Sequence, residues 1–280
     1  MRTLEPLGWD IEIAEEFPDN EEDRDWFTVE PSMGITCAAL AISDTDEVWW
    51  EAGARDKLFQ YRYLPSMTQD IAKDMARHLE QVTRHGHLLV TWNGAGFDFP
   101  VLARECNDPA YTRMLAEIAL NHCDLGFAMM CSHGYMVGLD TAAKALGLPG
   151  KTEGMSGGLA PILWNPVERE LSDKERLAIH KLGVEPGSDE ARQLCITYVR
   201  QDAATTRQVY EALLKERTLV WRTRTGRLTR QPWSPFVVDG HIATCREAMT
   251  LALPDTSWMT HARSRLDYIG WALDALGIPR

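Results

Sequence analysis

Asp10 and Glu12 stand two apart in Trp9-Asp10-Ile11-Glu12-Ile13. In a β-strand, whose side chains alternate, that spacing puts both carboxylates on one face. Adjacent acids repel, so such a face is either open to solvent, as on a half-exposed edge strand, or neutralised by a cation. A further acid, Asp98, follows the glycines of Asn93-Gly94-Ala95-Gly96-Phe97-Asp98-Phe99-Pro100. The glycines permit a sharp turn and Pro100 suits a first helical turn, which places Asp98 where a strand passes into a helix; an acid there also serves as an ordinary helix cap. The last element is Tyr198-Val199-Arg200-Gln201-Asp202. Four residues are about 400° of helix, so the phenol and the carboxylate lie one turn apart on one face. Read alone, Asp202 is equally a boundary residue hydrogen-bonded to a neighbour. Carboxylates that meet in one place need cations. Oxygen-only ligands favour Mg²⁺ or Mn²⁺, and two such ions roughly 3.5 to 4 Å apart are the arrangement that cleaves phosphodiesters by in-line attack.

The elements that must position these residues follow from periodicity and punctuation. The pattern predicts a strand over 8–13, an acidic loop, strands over 34–42 and 47–51 joined by a polar turn, and a short buried strand over 87–92. Ser66 with Gln69 three residues on resembles a capping box. Ile71, Met75, Leu79 and Val82 then recur at helical spacing, which gives a crossover helix before the fourth strand. Helices are predicted over 100–105, 109–121, 141–146, from Ser172 towards 181, and from Asp189 or its neighbour to about 215. The Gly- and Pro-rich stretch 147–166 reads as mostly loop. A meander, a crossover and a helical second half make a single-sheet α/β or α+β fold, in which the first strand, the end of the fourth and the late helix can converge on one edge. Residues 216–280 have a different texture, with a basic Thr-Gly turn, scattered prolines and Trp221, Trp233, Trp258 and Trp271. We expect a C-terminal extension packed on a core of residues 1–215.

Asp10-x-Glu12, Asn93-x-x-x-Phe97-Asp98 and Tyr198-x-x-x-Asp202, in this order, resemble the three exonuclease motifs of the DnaQ-like, RNase H-like 3′-5′ exonucleases. The Tyr four residues before the last Asp is similar to the DEDDy subgroup. Leu139-Asp140-x-x-Ala-Lys144-x-Leu-Gly-Leu148 is similar to a segment of the exonuclease domains of family B DNA polymerases and their free-standing relatives. The resemblance spans about residues 5–215 and implies an α/β fold, an RNase H-like mixed five-stranded sheet flanked by helices. It further implies that Asp10, Glu12 and Asp202 bind one Mg²⁺ or Mn²⁺, that Asp10 bridges to a second ion and that Asp98 holds that ion. Tyr198 would orient the attacking water, since a phenol of pKa about 10 is a poor base at neutral pH. Asn93 and Phe97 would contact or wedge the terminal nucleotide.

Composition bounds these readings. The chain has 280 residues, 45% hydrophobic and 25% charged, enough to bury a sizeable core. Lys and Arg number 29 against 41 Asp and Glu, a net charge of −12, which rules out a uniformly basic nucleic-acid coat but not a local patch. Residues 15–30 hold eight acids and one base, whereas 215–232 hold six bases and one acid. The acidic run reads as a solvated loop. Trp221 to Arg230 reads as a basic hairpin in which Arg222, Arg224 and Arg227 meet single-stranded nucleic acid by stacking and phosphate pairing, or instead pair with core acids. Six scattered cysteines without a C-x-x-C pair suggest reduced core thiols, and a Cys123, Cys131, His133 zinc site lacks familiar spacing. No apolar run approaches the roughly 20 residues of a membrane span and the start lacks a signal core, so a cytoplasmic protein without a membrane partner is expected. The reading is a metal-dependent 3′-5′ exonuclease acting on single-stranded 3′ ends, DNA favoured over RNA. An inactive nucleic-acid-binding module and an RNase H-fold endonuclease are the alternatives.

Overall fold

The computed structural model describes residues 5–17, 26–55, 58–223 and 225–280. Strand β1 (Pro6–Ile13) pairs antiparallel with β2 (Ile35–Ala41), and β2 with β3 (Glu47–Glu51). A small hairpin, β4 (Gly53–Arg55) and β5 (Tyr61–Tyr63), leads to α1 (Gln69–Arg84), which crosses back to β6 (Leu88–Thr91), parallel to β1. Helices α2 (Asp98–Cys106) and α3 (Pro109–Asn121) precede β7 (Cys123–Asp124), parallel to β6. The sheet order is β3-β2-β1-β6-β7, the mixed five-stranded α/β architecture expected of an RNase H-like fold.

The second half continues with α4 (Leu125–His133), α5 (Leu139–Ala145), α6 (Ala160–Trp164), α7 (Asp173–Leu182) and the 28-residue α8 (Asp189–Glu216). Hairpin β8 (Thr218–Arg222) and β9 (Leu228–Pro232), a short pair β10 (Val237–Val238) and β11 (His241–Ile242), α9 (Cys245–Ala248) and α10 (Leu266–Leu276) complete the chain. Among the described residues no helix is long and apolar enough to cross a membrane.

Strand β1 is central, so the half-exposed edge alternative for Asp10 and Glu12 falls. Its odd positions face α2, where the Trp9 and Phe99 ring centroids are 4.7 Å apart. Its even positions face α8. A Cβ on Gly8 would overlap the carbonyl oxygen of Ala203, so the absence of a side chain lets the helix backbone rest on the strand.

Three local expectations are corrected. Thr68, not Ser66, caps α1 by accepting from the Ile71 amide, and the Gln69 amide donates to the Cys106 carbonyl at 2.8 Å. Helix α4 was not expected, because its residues from Leu125 to Cys131 are all buried and an element buried all round carries no amphipathic period. In the β8–β9 hairpin Trp221 is only 6% exposed and packs with Trp233 and Leu213, so its ring offers no stacking face. Asp19, Glu21, Glu22, Asp23, Arg24 and Asp25 of the acidic run, and Arg224, lie outside the described residues.

Candidate active site

Each carboxylate reaches the site by a different local device. Asp10 and Glu12 project from β1 towards α8, and one oxygen each from Asp10, Glu12 and Asp202 lie within 4.8 Å of one another. Asp98 opens α2, and its Oδ1 accepts a 3.1 Å hydrogen bond from the Ile11 amide. Pairing of β6 with β1 stops at Gly8, which leaves that amide free for a side chain. Asp98 therefore does more than cap a helix: it fastens α2 to the central strand beside the other acids. Asp202 lies mid-helix on α8, far from any cap, and its Oδ1 is buried with no hydrogen-bond partner.

Glu12, Asp98 and Asp202 are buried, and Asp10 alone keeps partial contact with solvent. Burial, reinforced by the charges of Asp98, Asp202 and Glu12, drives the Asp10 carboxyl well above the ordinary range. Burial does the same to Glu12, with Lys151 opposing. Burial, and then the charge of Asp124, pushes Asp98 up to about 7. Buried carboxylates that resist ionisation together are a site that gains from a cation.

A cation of the protein's own is already among them. The ammonium of Lys151 forms an ion pair with Asp202 Oδ2 and donates to the Tyr198 hydroxyl at 2.7 Å. Tyr198 is fully buried, and burial together with the Glu12, Asp202 and Asp10 charges drives its phenol far upward, so it stays neutral. Lys151 rides on the Gly-rich stretch after α5. Its amide donates to Asp140 Oδ1 at 2.9 Å, and a Cβ on Gly150 would overlap that same oxygen. Sequence reasoning missed Lys151; the signal available was a single basic residue amid the glycines of 147–158.

The turn from Asn93 to Phe97 is held from below by Asp124, the N-cap of α4. Asp124 Oδ1 accepts from the Asn93 amide at 2.8 Å and from Phe127 at 2.9 Å, and its Oδ2 accepts from Ala95 at 2.8 Å. Asn93 adopts the left-handed region, φ 73°, and its Oδ1 is buried without a partner. Phe97 meets Trp26 edge-on at 5.2 Å and Phe17 at 5.9 Å, so the described flanks of the acidic run fold onto it. Those flanks are also fixed by ion pairs, Glu16 with Arg169 and Glu30 with Arg104. Their acids are thus partly paired within the protein.

Other candidates separate from this cluster. Arg222 and Arg227 sit on the hairpin beyond the end of α8; the 14 residues from Asp202 to Glu216 span about 21 Å of helix. Arg222 donates to the Gly226 carbonyl at 3.2 Å. Cys123, Cys131 and His133 form no ligand group among the described residues, and all six cysteines are buried and free. His122, Asp124 and Cys245 do cluster, but the protein uses their atoms already. His122 bonds Thr91 Oγ1 at 2.8 Å and the Ala119 carbonyl at 2.7 Å, while Asp124 serves three backbone amides.

The family model of the RNase_H superfamily matches residues 49–214. The chain belongs to the RNase_H superfamily. That membership suggests a nuclease domain acting on nucleic acid, and nucleases of this superfamily typically use divalent metals. The matched stretch contains Asp98, Tyr198 and Asp202, and the pairing of β1 with β2 and β6 brings Asp10 and Glu12 to them. No curated protein matches the chain.

The donor set fits a hard divalent cation. It consists of oxygens alone, it includes the unpartnered Asp202 Oδ1, and Lys151 shows that positive charge is accommodated there.

Proposed function

We propose that this RNase_H superfamily protein is a DEDDy-type 3′-5′ exonuclease that removes 5′-mononucleotides from single-stranded nucleic acid, DNA in preference to RNA. One observation carries the reading: Asp10, Glu12 and Asp202 share one small space, Asp98 is tied to the same strand, and the Tyr198 hydroxyl is linked to Asp202 through Lys151. Asp10, Glu12 and Asp202 would hold one Mg²⁺ or Mn²⁺, and Asp98 with Asp10 a second. Bound there, such ions supply the Lewis acidity that activates a water and stabilises a departing 3′ oxygen.

The chain's own groups have the remaining work. Tyr198, neutral and hydrogen-bonded, orients the attacking water and does not take its proton. Lys151 limits repulsion among the acids and fixes the phenol. Asn93 and Phe97, on the turn beside Asp98, contact the terminal nucleotide. Arg222 and Arg227 on the hairpin, together with Arg224, pair with phosphates several nucleotides upstream. In this layout residues 1–215 form the nuclease unit and 216–280 an extension to it.

The test is cleavage of 5′-labelled and 3′-labelled single-stranded DNA and RNA with Mg²⁺ or Mn²⁺, alongside Asp10→Ala and Asp202→Ala. The expected result is stepwise shortening of 5′-labelled DNA, release of mononucleotides and loss of about 10³-fold or more in both variants. Internal fragments, or cleavage that survives both substitutions, would overturn the reading.

A further inference from the structure

The turn that carries Asn93 and Phe97 needs holding. Asn93 is in the left-handed backbone region, which most side chains disfavour, and Gly94 and Gly96 add freedom on either side of Ala95. Asp124 takes the Ala95 N–H, as described. The Ala95 carbonyl is taken from the opposite direction, by the indole N–H of Trp271 on α10, at 2.9 Å. Both polar groups of one residue are therefore fixed by side chains from two different elements.

Helix α10 is itself well anchored. Ile269, Ala272 and Leu273, at helical spacing, are buried where it packs on α3. Arg265, just before it, donates to the carbonyls of Cys131, Met249, Leu251 and Ala252. Tyr268, one turn before Trp271, closes on the same turn: a Cβ on Gly96 would stand 2.6 Å from its ring. The Trp271 ring also stacks on Phe27, with centroids 6.0 Å apart and an interplanar angle of 22°. Trp271 thus joins the terminal helix, the loop after β1 and the Asn93–Phe97 turn.

We infer that Trp271, which lies outside the stretch matched to the superfamily, is a positioning residue for the terminal nucleotide. It orients the Ala95 peptide and so holds Asn93 and Phe97 in place. The inference rests on the exonuclease reading for its functional part. Asp98 has a separate anchor in the Ile11 amide, so the substrate end of the site depends on Trp271 more than the carboxylates do.

The experiment uses the full chain with Trp271→Phe, which keeps a ring against Phe27 but removes the donor, and Gly96→Ala, which pushes Tyr268 from the loop side. Asp274→Ala, on the same helix and exposed where it pairs with Arg280 beyond the helix end, is the control. Amide hydrogen exchange across 93–97 is expected to quicken about three- to tenfold in both test variants, the fold-change one hydrogen bond supplies, with the rest of the sheet unchanged. KM for a short single strand is expected to rise by a similar factor, with kcat within about twofold. Unchanged exchange at 93–97, an equal change in Asp274→Ala, or loss of kcat without a change in KM would overturn the inference. A wild-type protein that cleaves no nucleic acid would overturn the exonuclease reading, and the exchange result would still decide whether Trp271 holds the turn.

Discussion

Lys151 and Asp202 show how much a single pair governs at the residue scale. Asp202 is 1% exposed and sits between an unpartnered Oδ1 and an Oδ2 held by the Lys151 ammonium. Removing one partner of a buried ion pair costs more than the pair contributes, because the other charge is stranded. Lys151→Met should therefore lower the stability of the metal-free protein by about 2–3 kcal/mol in urea unfolding. It should also tighten Mn²⁺ binding in calorimetry, since a competing cation is gone from Asp202, while cleavage falls because Tyr198 loses the hydrogen bond from Lys151. Equal Mn²⁺ affinity in the two proteins would show that the lysine and the ion do not compete. Lys151 is 51 residues from Asp202 in a stretch without period, so no spacing rule points to it.

At the scale of elements, the site depends on how closely α8 approaches β1. Every turn of that helix from Tyr198 to Arg207 must pass over the even-numbered face of the strand, and Gly8 is the point of backbone contact. Overpacking a close contact costs about 1–3 kcal/mol even where side chains can yield, and here the obstacle is a backbone carbonyl. Gly8→Ala is accordingly expected to destabilise the protein by at least about 2 kcal/mol. It should also weaken Mn²⁺ binding, because lifting α8 draws Asp202 away from Asp10 and Glu12. A variant with wild-type unfolding and metal affinity would show that the helix has slack at this contact. The same logic explains the uneven legibility of the elements. Helix α8 was plain from about Asp189 onward, although its cap, Ser188, was not singled out, whereas the two-residue β7 and the uniformly apolar α4 carry no pattern of their own.

At the scale of the whole molecule the acidic run 15–30 and the basic run 215–232 fall in separate stretches of the chain. A chain of net charge −12 repels polyanions overall, so a grip on a strand must come from local basic groups. Among the described residues neither the Arg222 nor the Arg227 guanidinium meets a carboxylate, which leaves both charges available, whereas Arg104, Arg169, Arg200 and Arg207 are all engaged by acids. With Trp221 turned inward, any contact the hairpin makes with a strand would rest on its arginines and not on stacking by that ring. Neutralising Arg222 and Arg227 together should reduce the slope of log affinity against log salt by about 1.4 for single-stranded DNA, at about 0.7 per phosphate contact. An unchanged slope would remove the hairpin from the interface.

The sequence by itself determined the carboxylate set and the frame that carries it. The alternation in 9–13, the glycine turn before Asp98 and the four-residue step from Tyr198 to Asp202 are local rules, and local rules are written in spacing. Only the tertiary structure decided that β1 is central, that Lys151 enters the acid cluster, that Trp221 faces the core, and that Trp271 grips a turn 176 residues earlier in the chain. Those are contacts between segments with no common period. They arise from which surfaces the packed sheet and helices bring together, and no single stretch of sequence contains that information.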